Sequence, residues 1–309
     1  MQNVVNEGLF GRDLKVQRSL DYARNVASTR APVLIIGESG TGKRTLATYV
    51  HQISSRKENP LSVIDCSGDS KDVENQILGH RDDETGRFNK GVLETCNRGT
   101  IILANVDGLE EVFQKRLYQI FQELDDYDLD VRIIATSTKN LSKLVGSGRF
   151  YRALYTLISG TQISLKPLRE RVEDIKLLSE GFLRDWGIES DITDEAMNKL
   201  TSHYWTHNIR ELQKVLESSV QNAGDTPIDI EHLTIGERKV INSIDDDSDG
   251  DIKLMSLKEA EKLLIRKALI HTSENRTQAA KILGVSIRTL RNKINEYRQD
   301  GSQFFLNLR

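Results

Sequence analysis

A glycine-rich loop at residues 37–43 carries the residue types that bind phosphate. Its sequence is Gly37-Glu38-Ser39-Gly40-Thr41-Gly42-Lys43, between a short apolar segment typical of a strand and a predicted helix, Arg44 to Ile53. Glycines let backbone N–H groups close around phosphate oxygens, and a lysine at the helix N-terminus reaches the β- and γ-phosphates. The spacing therefore predicts a nucleotide-binding loop.

The position after Lys43 departs from the usual pattern of such loops. Arg44 stands where a Ser or Thr hydroxyl ordinarily contacts Mg²⁺, and Thr45 follows one residue later. A glycine-rich turn that holds no ligand is therefore the alternative to a nucleotide site.

Five short segments rich in β-branched residues would form the sheet that positions this loop. They are Val33–Ile36, Ser62–Ile64, Ile101–Leu103, Val131–Ile134 and Thr161–Leu165. Nearly continuous hydrophobicity is typical of strands buried on both faces of a parallel sheet. Amphipathic stretches of helical length, such as Glu110 to Leu124, separate them. Residues 1–166 are therefore predicted to form an α/β subdomain.

Three further regions follow the α/β subdomain. From Pro167 the strand signals end and helical spacing takes over, which predicts a small helical subdomain at 167–240. The acidic run Ile244–Asp251 has no periodicity and repels itself, so residues 241–255 are expected to be a flexible linker. Residues 256–309 are again helical in pattern.

Charge is distributed unevenly along the 309 residues. The whole chain has a formal charge of -3, yet residues 252–298 contain 11 Lys or Arg against 4 Asp or Glu. A basic tail on an acidic body predicts that the tail alone binds a polyanion such as double-stranded DNA.

Two further features bear on the cellular compartment. The sequence has no run of about 18 apolar residues that could span a membrane. Its two cysteines, Cys66 and Cys96, lack metal-ligand spacing. We expect two reduced thiols in a cytoplasmic protein with no membrane contact.

Several segments resemble one known family. VLIIGESGTGKRTLATYVHQISSR, DVRIIATSTKNL, LKPLRERVEDIKLLSEGFL and YWTHNIRELQKVLE are similar to the AAA+ domain of bacterial enhancer-binding proteins, the NtrC-type activators of sigma-54 RNA polymerase. The basic tail NRTQAAKILGVSIRTLRNKINEY resembles their Fis-type helix-turn-helix. The resemblance implies an α/β fold, an AAA+ P-loop parallel sheet with a helical lid subdomain, followed by an all-α Fis-type helix-turn-helix domain at 256–309.

The resemblance also implies ligands and partners. ATP or ADP would bind the phosphate loop and the lid arginine, and Leu9–Arg12 matches the adenine-side segment of the family. The implied nucleotide-binding residues are Gly37, Glu38, Ser39, Gly40, Thr41, Gly42, Lys43, Arg44, Thr45 and Arg210. Family members form dimers or hexamers, bind DNA and act on RNA polymerase. Their N-terminal receiver or sensor domain has no counterpart in these 309 residues.

Residues that hydrolyse ATP in the family are altered here. The family's Asp-Glu pair, which holds Mg²⁺ and polarises the attacking water, falls at Ala104 and Asn105. Alanine has no ligand atom, asparagine cannot accept a proton, and Asp107 is expected to be a solvated loop acid past the strand end. The family's sensor asparagine falls at Thr138. We therefore predict no catalytic residue, no metal site and weak retention of Mg²⁺.

The family's trans-acting arginines are also missing. They align with Tyr151 and Leu157, and Arg152 lies one place out of register. Because an arginine finger is worth roughly 10³–10⁵ in rate, hydrolysis near background is expected. The loss favours a dimer over a hexamer.

The loop that contacts sigma-54 differs too. The family has Gly-Ala-Phe-Thr-Gly-Ala after a Gly-His pair, whereas Gly79-His80 is followed here by the shorter and highly charged segment Arg81–Lys90. A polar tip is poorly suited to that protein contact, so remodelling of sigma-54 polymerase is not expected.

The basic tail has the pattern of a helix-turn-helix. An amphipathic helix is predicted from Leu257 to Ile270, and the resemblance implies that it pairs with its twin in a dimer. Asn275 would cap the next helix. Gly284 supplies the turn, and Ser286 caps the last helix, Ile287 to Tyr297. A solvated basic hairpin of helices is the alternative.

On the last helix, Leu290 and Ile294 have the spacing of core residues, which leaves the polar side chains outward. Arginine suits guanine and asparagine suits adenine, so Arg288, Arg291 and Asn292 are predicted to contact bases. The other predicted DNA contacts, chiefly to phosphate, are Arg276, Lys281, Thr289, Lys293 and Arg298.

These features together predict a DNA-binding transcriptional regulator, independent of sigma-54, whose AAA+ domain binds nucleotide but scarcely hydrolyses it. The alternative is an ATP-hydrolysing, sigma-54-dependent activator with rearranged catalytic residues. A third interpretation is an interaction scaffold whose pocket takes a signalling nucleotide or nothing, with the tail as a tether.

Overall fold

The computed structural model describes residues 11–82, 86–224, 226–235, 261–262, 264–266, 268–269, 272 and 275–299. The chain divides into two compact units, Met1–Val240 and Ile241–Arg309. The predicted linker at 241–255 lies outside the described residues.

A five-stranded parallel sheet forms the centre of the first unit. The strands of this unit are β1 (Val33–Ile36), β2 (Leu61–Asp65), β3 (Gly79–Arg81), β4 (Phe88–Lys90), β5 (Thr100–Ala104), β6 (Arg132–Ser137) and β7 (Thr161–Ser164). The sheet has the order β2-β5-β6-β1-β7, and every pairing in it is parallel. The predicted α/β class is confirmed, and β1, which leads into the phosphate loop, lies inside the sheet.

Helices cover both faces of this sheet. They are α1 (Leu14–Ala27), α2 (Lys43–Gln52), α3 (Ser70–Leu78), α4 (Val92–Thr95), α5 (Glu111–Gln122), α6 (Leu141–Gly146) and α7 (Arg152–Ile158). Alternate residues of β1 enter two apolar clusters, Leu34 on the side of α3 and α5, and Val33 and Ile35 on the side of α1 and α2. Burial on both faces explains the continuous apolar runs in the sequence.

The helical lid follows the sheet. It consists of α8 (Glu173–Asp185), α9 (Asp194–Ser202) and α10 (Asn208–Ala223). Trp205 is fully buried in its core, and the indole Nε1 donates to the Leu200 carbonyl oxygen at 2.8 Å. Leu212 and Leu216, one helical turn apart on α10, face the same core, as the helical spacing predicts.

The charged segment after Gly79 forms part of an antiparallel hairpin. Strands β3 and β4 pair with Gly79 opposite Lys90 and Arg81 opposite Phe88. The sequence predicted only a polar loop here, because a three-residue ladder of mixed polarity has no hydrophobic periodicity. Phe88 is 57% exposed on β4, so the hairpin keeps one apolar surface side chain.

The second unit contains α11 (Arg276–Ile282) and α12 (Ile287–Gln299). Asn275 Oδ1 accepts from Thr277 N at 3.1 Å and Ser286 Oγ accepts from Thr289 N at 3.0 Å, which confirms the predicted caps. Gly284, between the helices, has the expected positive φ, 65°. Of the predicted helix at 257–270, the first residues lie outside the described part.

None of the helices in the described ranges combines the length and apolarity that a membrane crossing requires.

Candidate nucleotide site and DNA-binding helix

The phosphate loop connects β1 to α2, and its backbone adopts conformations that favour glycine. Gly40 and Gly42 have φ values of 76° and 98°, in the left-handed region. A β-carbon on Gly40 would overlap the His207 carbonyl oxygen, so glycine also allows the lid to approach closely. The α2 helix begins at Lys43, and its positive dipole end therefore faces the space beside the loop.

Lys43 is held against the loop itself. Its Nζ donates hydrogen bonds to the Gly37 and Glu38 carbonyl oxygens, each at 2.8 Å, and 7% of the residue is exposed. Burial is the main cause that lowers the pKa of Lys43 to about 8, and the charge of Arg210 acts in the same direction. An anion near this poorly solvated ammonium group would stabilise its charged form.

A cavity of about 700 Å³ opens beside the loop, next to the carboxyl ends of β2 and β5. Its lining includes most of the predicted nucleotide-binding residues, namely Ser39, Gly40, Gly42, Lys43, Arg44, Thr45 and Arg210. The lid also contributes Phe182 and Ile209. The structure thus brings the loop and the lid arginine together around one basic cavity, whereas Gly37, Glu38 and Thr41 do not line it.

Glu38 binds the lid. The Arg169 guanidinium donates from Nη1 to Glu38 Oε2 at 2.7 Å and from Nη2 to Oε1 at 2.5 Å, and it lies 4.8 Å from the centre of the Tyr204 ring. The hydrogen bond from Arg169 is the main cause that lowers the pKa of Glu38. The lid therefore engages the Glu38 side chain, and a contact between Glu38 and nucleotide stays a prediction.

Asn208 makes a second connection between lid and loop. Its side chain is fully buried, with Oδ1 accepting from Leu168 N at 2.7 Å and Nδ2 donating to the Ser39 carbonyl oxygen at 2.9 Å. The Ile209 N–H also donates to the Gly40 carbonyl oxygen at 2.9 Å. These bonds satisfy backbone groups of the loop with lid atoms.

Ala104 and Asn105 occupy the carboxyl end of β5, in the cavity wall. Asn105 donates from Nδ2 to Asp65 Oδ1 at 3.1 Å, and the same oxygen accepts from Ser67 N at 3.0 Å and from Ser67 Oγ at 2.7 Å. Burial opposes ionisation of Asp65, but these hydrogen bonds and the charge of Arg44 lower its pKa. The carboxylate at this edge comes from β2, and it is already engaged by hydrogen-bond donors.

Asp107 has a different environment from the solvated one that the sequence predicted. Its Oδ1 accepts from Thr138 N at 2.8 Å and its Oδ2 accepts from Thr138 Oγ1 at 2.5 Å. The prediction was wrong because the partner lies 31 residues away, directly after the end of β6. The negative charge of Asp107 acts on Lys43, opposing the effect of burial on its pKa.

Tyr151 and Leu157, which are predicted to align with the family's trans-acting arginines, have packing roles. Tyr151 meets Tyr118 edge-on, with 5.7 Å between the ring centroids, and its N–H donates to Gln114 Oε1 at 2.7 Å. Leu157, on α7, packs against the apolar core of the sheet. Arg152, the candidate substitute, begins α7.

Asp174 of the lid fixes the start of the described N-terminal segment. Its Oδ1 accepts from Arg12 N at 2.6 Å and from Asp13 N at 2.9 Å, and burial raises the pKa of its carboxyl group. Gly11 has a φ of 97°, and a β-carbon there would overlap the Asp174 carboxylate. Leu9 and Phe10, which complete the predicted adenine-side segment, lie outside the described residues.

The α12 helix presents a polar face at its N-terminal half. Its exposed side chains include Arg288, Thr289, Arg291 and Asn292. Leu290 and Ile294 are buried in the core of the unit, as their i, i+4 spacing predicts. This half of a recognition helix is the part that enters the major groove in a helix-turn-helix.

The residues predicted to contact phosphate differ in their surroundings. Lys293 pairs with Glu261 at 2.9 Å and with Glu296 at 3.4 Å, so two carboxylates already neutralise its charge in part. Arg276 begins α11 and is half-buried. Lys281 lies on α11, but its side chain, like that of Arg298, is outside the described part.

Comparison with known proteins gives the family. Residues 9–164 match the sigma-54 interaction domain, residues 169–241 the AAA+ ATPase lid domain, and residues 256–297 the bacterial regulatory protein, Fis family. The transcriptional regulatory protein FlbD of Caulobacter vibrioides is 31% identical over 324 residues, which cover 94% of this chain and 70% of FlbD. The chain belongs to the NtrC-type family of sigma-54 activators.

This NtrC-type protein is a transcriptional regulator with an AAA+ domain and a Fis-type helix-turn-helix. Regulatory protein AtoC of Escherichia coli is 33% identical over 296 residues, covering 88% of this chain and 64% of AtoC. NtrX from Brucella abortus, solved in complex with ATP, has a TM-score of 0.64 at 23% identity, covering 93% of this chain and 68% of NtrX. At that identity the likeness shows the fold alone.

Sequence reasoning missed three residues of the site. Asp65 could have been found, because it ends a predicted strand and the carboxyl ends of parallel strands meet at one edge. Arg169 and Asn208 lie 131 and 170 residues from Glu38, and no local pattern links residues so distant.

Proposed function

We propose that this NtrC-type regulator binds ATP or ADP in its AAA+ cavity, hydrolyses it near the background rate, and controls transcription without remodelling sigma-54 polymerase. The observation that carries the proposal is the carboxyl end of β5, where Ala104 and Asn105 stand in the cavity wall.

Hydrolysis needs a metal ligand and a water-activating carboxylate at this edge. Phosphoryl transfer depends almost entirely on positioning and electrostatic stabilisation, for which Ala104 offers no side-chain donor atom. The amide of Asn105 donates to Asp65 and cannot act as a base. Each lost group lowers the rate, by roughly 10²–10⁴ for a general base and roughly 10³–10⁵ for an arginine finger.

Binding does not require those groups. The backbone of the phosphate loop, Lys43 and Arg210 surround the cavity whether or not water is activated. NtrX from Brucella abortus has been solved in complex with ADP and with ATP, which supports a nucleotide in the same fold. The buried ammonium of Lys43 also gains more from a bound phosphate than a solvated lysine would.

The hairpin of β3 and β4 supports independence from sigma-54. Among its described residues, His80, Arg81 and Lys90 are polar and exposed, and Phe88 is the large apolar side chain exposed there. A predominantly charged tip desolvates poorly against a protein partner.

Double-stranded DNA is the proposed partner of the second unit. The exposed N-terminal half of α12 carries two arginines and one asparagine, the side chains that suit guanine and adenine edges. We also propose that the predicted helix at 257–270, on which Leu264 is 52% exposed, pairs with a second copy. The proposed domains are 1–166, 167–240, 241–255 and 256–309. The division of the chain into compact units after Val240 supports the proposed boundary between residues 240 and 241.

A steady-state phosphate-release assay, with and without duplex DNA, tests the hydrolytic part. We expect turnover no greater than that of the Lys43→Ala variant. Replacing Ala104 by Asp and Asn105 by Glu should raise turnover if the rest of the site is competent. Brisk turnover by the natural sequence, abolished by Lys43→Ala, would refute the proposal.

Binding to duplexes tests the DNA part. Arg288→Ala combined with Arg291→Ala should abolish sequence-specific binding and leave the salt slope of the remaining binding nearly unchanged, because both arginines are predicted to contact bases. Lys199→Ala, on the lid helix α9, is the control. Unchanged affinity in the double variant would exclude α12 from recognition.

The second candidate is an active ATPase with rearranged residues, and one observation favours it. The Asp107 carboxylate acts electrostatically on Lys43, so a negative group does lie near the loop. Both of its oxygens are bonded to Thr138. Turnover that disappears in Asp107→Asn would support this candidate.

A further inference from the structure

Mg²⁺, which the family implies, does not fit the residues of this cavity. Ala104 has no ligand atom, and Asn105 directs its amide nitrogen to Asp65. Asp65 Oδ1 already accepts three hydrogen bonds, two of them from Ser67. Within the described ranges, no group of three or more His, Cys, Asp or Glu side chains could hold a metal ion. Mg²⁺ at nucleotide sites is usually held by one or two carboxylates together with substrate phosphates. Asp65 is the carboxylate in the lining among the described residues, and hydrogen-bond donors already engage it.

An arginine lies where the metal would be expected. Arg44 directly follows the loop lysine, at the position from which a Ser or Thr hydroxyl contacts Mg²⁺ in other phosphate loops. Its side chain is exposed and lines the cavity. The loop lysine is shared with phosphate loops that bind Mg²⁺. The added charge of Arg44 disfavours a divalent cation beside it, because like charges repel.

The charge of the cavity suits a polyphosphate without its metal. Three cationic side chains line it, Lys43, Arg44 and Arg210, and Asp65 is the carboxylate in the lining among the residues that the structure describes. A guanidinium group can donate two parallel hydrogen bonds to phosphate oxygens, so Arg44 can replace an ion's charge and also orient the phosphate.

We propose that this cavity takes a nucleoside triphosphate free of Mg²⁺, with Arg44 supplying the countercharge that the metal supplies in other phosphate loops. The inference rests on the proposed nucleotide binding and adds the chemical form of the ligand. The proposal also explains why a basic residue stands at position 44, where a positive charge would weaken a metal site.

Calorimetric titration of the full chain with ATP, once in EDTA and once in excess Mg²⁺, tests the inference directly. We expect affinity in EDTA to equal or exceed that in Mg²⁺, because the metal would compete with Arg44 for the phosphates. Affinity at least tenfold weaker in EDTA would overturn the inference and leave the proposed nucleotide binding intact. No binding under either condition would refute both.

Two variants separate the charge of Arg44 from general effects. Arg44→Gln should weaken ATP binding in EDTA by about tenfold, the lower end for a hydrogen bond to a charged group, and by less in Mg²⁺. Asp65→Asn should tighten binding in EDTA, because it removes a negative charge from the lining. A metal site would respond to Asp65→Asn in the opposite direction.

Arg18→Gln is the matched control, since Arg18 is an exposed arginine on α1 that does not line the cavity. It should change neither titration. If Arg44→Gln behaves like Arg18→Gln in EDTA, Arg44 does not supply the countercharge and the inference fails.

Discussion

Replacing Asn208 by Ala should loosen the lid from the phosphate loop. The Asn208 side chain is buried and bonds Leu168 N at 2.7 Å and the Ser39 carbonyl oxygen at 2.9 Å. Leaving the buried Leu168 donor without a partner costs about 2 kcal/mol, and the more accessible second bond contributes about 1 kcal/mol. Alanine also disfavours the positive φ of this residue, 53°, by roughly 1 kcal/mol. The free energy of unfolding should therefore fall by about 4 kcal/mol.

The two tryptophans of the chain make this change measurable. Trp186 and Trp205 are both in the lid, so urea unfolding followed by tryptophan fluorescence reports the lid, while far-ultraviolet circular dichroism reports the whole protein. Asn198→Ala is the matched control, because Asn198 is exposed in the middle of α9. An exposed substitution of this kind changes stability by about 0.5 kcal/mol or less.

The fluorescence midpoint of Asn208→Ala should move to lower urea, ahead of the dichroism midpoint. If Asn208→Ala loses no more stability than Asn198→Ala, water replaces the hydrogen bonds of the Asn208 side chain at little cost. The lid would then be held by other contacts, and the reasoning from Asn208 would be refuted.

Three other environments give measurable expectations. Burial lowers the pKa of Lys43 from 10.5 to about 8. Between pH 8 and 10.5 the unfolded chain therefore binds more protons than the folded one, and the stability to urea should rise with pH. Lys43→Met should remove that rise, and a pH profile identical to that of the natural sequence would contradict the expectation. Gly40→Ala should abolish ATP binding in calorimetry because its β-carbon overlaps the lid, whereas Gly146→Ala, which has open space around it, should not. Cys66 and Cys96 are each 1% exposed, and burial raises the pKa of the Cys66 thiol to about 12, so a thiol reagent should modify them only after denaturation.

The sheet could be predicted from the sequence because its inner strands β1, β5 and β6 are buried on both faces, and the outer strands β2 and β7 still carry β-branched residues. β1 was predicted residue for residue, and β5 and β7 to within one residue at either end. The hairpin of β3 and β4 could not be predicted, since its ladder is short and its residues are largely polar. Periodicity reports burial, and strands that bury little leave no periodic signal.

The site was predictable only where a motif is local. The loop at 37–43 and the helix after it need no distant partner, so their positions followed from spacing. The partners of Glu38 and Asp107 could not be predicted, because Arg169 and Thr138 reach them through the tertiary fold. The ion pair between Lys293 and Glu261 could not be predicted either, because it joins two different helical segments of the second unit.

The lid and the loop are joined by bonds that use no ligand atom, from Arg169 to Glu38, from Asn208 to Ser39 and from Ile209 to Gly40. A ligand moves a conformational equilibrium only by the difference between its affinities for the two states. Because the lid is already bonded to the phosphate loop, an incoming nucleotide has little hinge motion to drive. In the proposed regulator, control of transcription would then depend on how many copies bind the DNA and how long each copy remains bound.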